Sequence, residues 1–104
     1  MRKAKVFVQG IEAGILCEVK QGAEYTFEYN EGYDGLEVSR TMLISQRMYL
    51  YSEFPPFFEG LLPEGIQLEG LLKLNKIDKN DLFSQLMAVG EDVVGVVTVK
   101  EMNE

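Results

Sequence analysis

The chain has 104 residues, 17 acidic and 10 basic, for a net charge of −7 and a pI near 4.6. At 46% hydrophobic and 26% charged it is too apolar for a disordered tail and suits one globular domain, residues 1–104. The acidic balance argues against direct nucleic-acid binding and against docking on an anionic membrane.

The chain contains no histidine, which excludes histidine-dependent triads and His-ligated metal sites. The single cysteine, Cys17, excludes an internal disulfide. No apolar run approaches the ~20 residues of a membrane helix. The basic start Met1-Arg2-Lys3-Ala4-Lys5 precedes an apolar stretch too short for a signal peptide. The expectation is an unprocessed cytoplasmic protein.

Ala4, Val6 and Val8 alternate with Lys5, Phe7 and Gln9 and predict a first strand. Gly10 and Gly14 are read as bracketing a turn. Ile15, Cys17 and Val19 are then expected to share the core face of a second strand, opposite Leu16, Glu18 and Lys20. Gln21-Gly22 marks the next turn, and Tyr25, Phe27 and Tyr29 make a third strand. Together these predict an antiparallel meander.

Residues 30–39 read as a Gly/Asn/Asp-rich loop, with short strands expected at Thr41–Ser45 and Met48–Tyr51. Pro55-Pro56 suits a helix start, and the pairs Phe57/Leu61 and Phe58/Leu62 predict a short helix over Pro56–Leu62. Pro63-Glu64-Gly65 stops it. A second helix is expected over Ile66–Leu74, stacking Leu68, Leu71 and Leu72 on one side. A third is expected over Lys79–Val89, capped by Asp78 and ended by Gly90. The β-branched run Val93–Lys100 predicts a closing strand, with Glu101–Glu104 frayed. The fold class is α+β: an antiparallel meander or small barrel-like sheet, two to three short helices on one side, and a C-terminal strand.

No phosphate-cradling glycine loop follows a strand. Asp78-Lys79-Asn80-Asp81 lacks the central glycine and closing glutamate of a calcium loop and reads as a helix cap. No enzymatic activity, cofactor or metal is expected. One stretch stands apart. Met48–Leu72 has no Lys or Arg, carries Glu53, Glu59, Glu64 and Glu69, and holds Tyr49, Tyr51, Phe54, Phe57 and Phe58. Aromatic anchors rimmed by one sign of charge suit a protein-binding patch. Phe57, Phe58, Leu61 and Leu62 read as core. Tyr49, Tyr51 and Phe54 divide evenly between core and anchor. With Glu59 and Glu64 they are the candidate partner-binding residues.

Phe54-Pro55-Pro56-Phe57-Phe58-Glu59-Gly60-Leu61-Leu62-Pro63-Glu64-Gly65 resembles the N-terminal subdomain of HipA-type serine/threonine kinase toxins. That family shows a Pro-x-Phe-Phe-(Asp/Glu)-(Gly/Asn)-Leu-Leu-Pro-(Asp/Glu)-Gly stretch. The flanks fit as well: strand–turn–strand at Val6–Leu16 with a glycine at Gly14, then the Asp81–Met87 helix followed by Gly90-Glu91-Asp92-Val93-Val94-Gly95. The resemblance covers about Val6–Val99. It departs where the family often has a basic residue, at Ile66-Gln67-Leu68-Glu69. The kinase body of the family, with its catalytic Asp, metal-binding Asp and ATP loop, has no counterpart here.

The resemblance therefore implies no catalysis by this chain. It is similar to the HipS family of three-component HipBST systems, which supplies this subdomain in trans. The implied function is a non-catalytic antitoxin that binds and inhibits a separately encoded HipA/HipT-like serine/threonine kinase, with a HipB-like DNA-binding protein joining through the kinase. The alternative is an accessory or activating subunit of a split kinase. A third reading is a fragment of a longer kinase or a small-ligand binding domain; the end at Met102-Asn103-Glu104 is read as disfavouring the fragment.

Overall fold

The computed structural model describes residues 1–92 and 95–102. Among them lie, in chain order, β1 (Arg2–Val8), β2 (Ile11–Lys20), β3 (Glu24–Tyr29), β4 (Met48–Tyr51), α1 (Pro56–Glu59), α2 (Gly65–Asn75), α3 (Leu82–Val89) and β5 (Val97–Glu101). The strands form one antiparallel sheet in the order β4-β3-β2-β1-β5. The meander is as expected. Because β4 and β5 occupy opposite edges, the sheet stays open rather than closing into a barrel. The helices pack on one face.

Cross-strand partners point to the same side of a sheet. The rows Ala4–Leu16–Phe27–Tyr49 and Val6–Val99 face the helices. Ala4, Val6, Leu16, Phe27 and Val99 are fully buried there, against Phe58 of α1 and Phe83 and Leu86 of α3. Phe27 lies at the centre, with ring centroids 4.9 Å from Tyr29 and 6.0 Å from Phe58.

Cys17 corrects the expected facing of the second strand. It pairs with Lys3 and Thr26, on the side away from the helices, although it is buried. Leu16 takes the core position. Two features reverse the pattern. Gly14 is not a turn residue but sits inside β2, beside a bulge at which Val6 faces Gly14 and Phe7 faces Glu12. And Glu18, polar by sequence, is drawn inside by Arg2 and Tyr25. A Cβ on Gly14 would stand 2.4 Å from the Glu28 carbonyl oxygen and 2.8 Å from Phe27, so β3 can lie against β2 only with glycine there.

Four other boundaries differ. Thr41–Ser45 is not a strand. It is a pair of turns, with Met42 N–H donating to Ser39 O at 3.0 Å and a single bridge between those residues. Met42 is buried there and its carbonyl accepts from the Tyr29 hydroxyl. α1 ends at Glu59. Leu61 and Leu62 continue as turns bonded to Phe58 O and Glu59 O, both at 3.1 Å, because Pro63 disfavours helical backbone at Leu62.

α3 begins at Leu82 and is capped by Asp81 rather than Asp78. The Asp81 carboxylate accepts from Ser84 N at 3.1 Å and from Ser84 Oγ at 2.7 Å. Asp78 instead closes the preceding turn by accepting from Asn80 N at 2.7 Å. In the closing strand, Val93 and Val94 lie outside the described residues. Gly95, at φ 130°, bends the chain, so pairing starts only at Val97. Glu101 is within β5 and the Met102 N–H bonds Lys3 O at 3.0 Å, so the expected fraying does not reach them. Asn103 and Glu104 are outside the described residues. Gly90 ends α3 as expected, but with right-handed backbone (φ −58°). It is required because a Cβ would stand 2.5 Å from Val99 O.

Candidate partner-binding surface

The acidic, aromatic stretch runs from the edge strand β4 through α1 to α2. The sheet's alternation turns Tyr49 and Tyr51 toward the helix side and Met48 and Leu50 away from it. Tyr49 is half-buried and its hydroxyl donates to Leu43 O at 2.9 Å. Tyr51 is also half-buried. Burial, reinforced by Tyr49 nearby, pushes its phenol above the ordinary range. Leu50 projects into solvent at 75% exposure.

Phe54 divides from the two tyrosines. It is buried among this chain's own core residues, edge-on to Tyr25 with ring centroids 5.3 Å apart. The Tyr25 hydroxyl donates to Glu18 Oε2 at 3.1 Å. Phe54 and buried Pro55 thus anchor the turn from β4 into α1 from beneath. Phe57 and Phe58 meet at 5.2 Å, Phe58 in the core and Phe57 half-buried beside it, in line with the core reading. Glu59 and Glu64 are exposed, so the acidic rim of the patch faces water.

Gly65 starts α2 with φ 60°, a left-handed geometry that glycine adopts without strain. The helix ends at Lys76, also left-handed (φ 54°), whose N–H bonds Leu72 O. α2 carries Ile66, Leu68, Leu71, Leu72 and Leu74, yet none of its residues is buried. Leu68, Leu71 and Leu72 are half-covered. Ile66 and Leu74 are 86% and 85% exposed. This second apolar row is legible as Ile66, Gly70 and Leu74 at i, i+4 and i+8, but the reading of the helix stopped at its inner stripe.

Sequence reasoning missed the structural role of Arg2. Its Nε donates to Glu18 Oε1 at 2.7 Å, Nη1 to Ser84 Oγ at 2.7 Å and Nη2 to Asp81 Oδ1 at 2.8 Å, with the guanidinium 4.9 Å above the Phe83 ring. This cluster has the geometry of a brace between sheet and helix. Among the described residues no group of three or more His, Cys, Asp or Glu is placed to hold a metal ion. No helix among them is long and apolar enough to cross a membrane. The arrangement offers burial area and charge for recognising a protein.

A family model described as the HipA N-terminal domain matches residues 4–100. A Haemophilus influenzae protein of uncharacterised function is 33% identical over 101 residues, which span 97% of this chain and 93% of that protein. A solved structure described as the N-terminal domain of HipA toxin superposes with a TM-score of 0.78 at 30% identity, covering all of this chain and 95% of that one.

Proposed function

The chain belongs to the HipA N-terminal domain family, and from that premise we propose that it is a non-catalytic cytoplasmic antitoxin, holding a separately encoded HipA/HipT-like serine/threonine kinase inactive. The observation that carries this reading is the extent of the family match. Residues 4–100 match the N-terminal domain, and the likeness takes in 93% of the Haemophilus relative. A domain that packs against a kinase lobe within one chain needs a complementary exposed face when it is a separate protein. The exposed apolar row of α2 and the half-buried Tyr49 and Tyr51, rimmed by Glu59 and Glu64, supply one. The aromatic and aliphatic groups bury against the kinase, and the glutamates steer and register it through basic side chains. A HipB-like DNA-binding protein joins through the kinase, not through this acidic chain.

Co-expression tests the proposal. The chain should restore growth to cells expressing the HipA-like kinase of the same genome. Deeper growth arrest on co-expression would overturn it in favour of an activating subunit.

A further inference from the structure

We infer that the outward face of α2 is a docking seat in which the gap at Gly70, between Ile66 and Leu74, receives an apolar side chain of the kinase partner. The inference deepens the proposed function and rests on it.

Residues four apart on a helix lie on one face, so Ile66, Gly70 and Leu74 form a single row along α2. At 1.5 Å per residue the two aliphatics stand about 12 Å apart, a gap suited to one aromatic or branched side chain. Among the described residues they are the two most exposed large hydrophobics. Gly70 opens onto a shallow depression of about 630 Å³ lined by Ile66, Glu69, Gly70, Leu72 and Lys73, with Leu74 outside its lining.

Gly70 has no internal reason to be glycine. A Cβ there would meet nothing within 4 Å, and its backbone is ordinary helix. Glycine within a helix is nonetheless unfavourable relative to alanine. Gly14 and Gly90 differ, because close neighbours in the same chain demand them. What the missing side chain at Gly70 provides is room for something outside the chain.

Charge selects the occupant. Glu64 is the N-cap of α2 and Glu69 lies near its middle, with Lys73 in the last turn and Lys76 at the C-cap. The order complements the helix dipole and gives the face a direction. The partner surface that fits is an apolar knob with basic groups on the glutamate side and an acidic or neutral group beside the lysines. A second copy of the chain, itself at −7, fits less well.

The test measures the affinity of the purified chain for the HipA-like kinase of the same genome, expressed without any N-terminal domain of its own. Gly70→Leu fills the gap with a good helix former, and Leu74→Glu puts charge on a side chain that makes little contact within the chain. Both variants should fold, with Gly70→Leu melting at or above wild type. Each should raise Kd at least about tenfold. If the wild-type chain binds and both variants bind equally well, the docking seat is overturned and the antitoxin reading stands. If the wild-type chain does not bind, both fall. Concentration-dependent dimerisation that Leu74→Glu abolishes, with kinase affinity unchanged, assigns the face to a second copy and also overturns the inference.

Discussion

The Arg2 guanidinium donates to Asp81 Oδ1 at 2.8 Å, joining the first strand to the cap of the last helix. The same guanidinium holds Glu18, whose side chain is only 5% exposed, through a 2.6 Å ion pair. Arg2→Ala therefore leaves a buried carboxylate without its countercharge and removes a partner from the α3 cap. Losing one partner of a buried pair costs several kcal/mol. Arg2 is itself one-third exposed, which reduces the expected loss to about 2 kcal/mol. Urea denaturation of Arg2→Ala, Asp81→Ala and the double variant should show coupling between the two sites rather than additive losses.

Asp81 also makes stability depend on pH. Burial alone raises its carboxyl, but the hydrogen bonds from Arg2 and Ser84 outweigh that and hold it below the usual carboxylate range. A group with a depressed folded value contributes stability above its unfolded value, about 3.9 for Asp, and loses it as pH falls toward the folded value. The difference in urea midpoint between wild type and Asp81→Asn should stay constant from about pH 7 to 5 and narrow below about pH 4. A gap unchanged down to about pH 3 contradicts this assignment.

The glycines separate into two kinds, and alanine distinguishes them. Gly14→Ala forces a Cβ against the Glu28 carbonyl and should cost at least about 2 kcal/mol, as overpacking of a tight contact does. Gly70→Ala fills open space in a helix and should stabilise by about 1 kcal/mol. Opposite signs in chemical denaturation are the expected result.

Phe54, Tyr49 and Tyr51 should part company in the same way. Phe54→Ala empties a buried ring site against Tyr25 and should cost about 3–5 kcal/mol of folding stability. Tyr49→Ala and Tyr51→Ala, at half-buried sites, should lose less stability. If both rings are anchors, each should weaken kinase binding by about 2 kcal/mol. Calorimetric melting paired with binding isotherms separates the two effects.

The meander was legible because Tyr25/Phe27/Tyr29 alternate with polar neighbours and Ala4/Val6/Val8 do so with Phe7 as the one exception. The α2 helix was legible because Gly65 and its leucine spacing frame it. The family was legible from the Phe54–Gly65 stretch, whose packing needs fix residue types at close intervals. What escaped depends on contacts distant in sequence. Glu18 reads as a solvent residue until Arg2 and Tyr25 enclose it, so Cys17 was assigned the face that Leu16 occupies. Asp78 and Asp81 both satisfy a cap pattern, and Arg2, 79 residues from Asp81, decides between them. Phe54 could be placed neither inside nor outside without knowing that Tyr25 lies over it. The outer row of α2 was obscured by its glycine, which carries no apolar signal of its own.

Titrating the purified chain into its HipA-like kinase while following phosphotransfer tests the central claim most directly. The account predicts that activity falls toward background as the chain reaches equimolar amounts. Activity that holds steady or rises across the titration contradicts it.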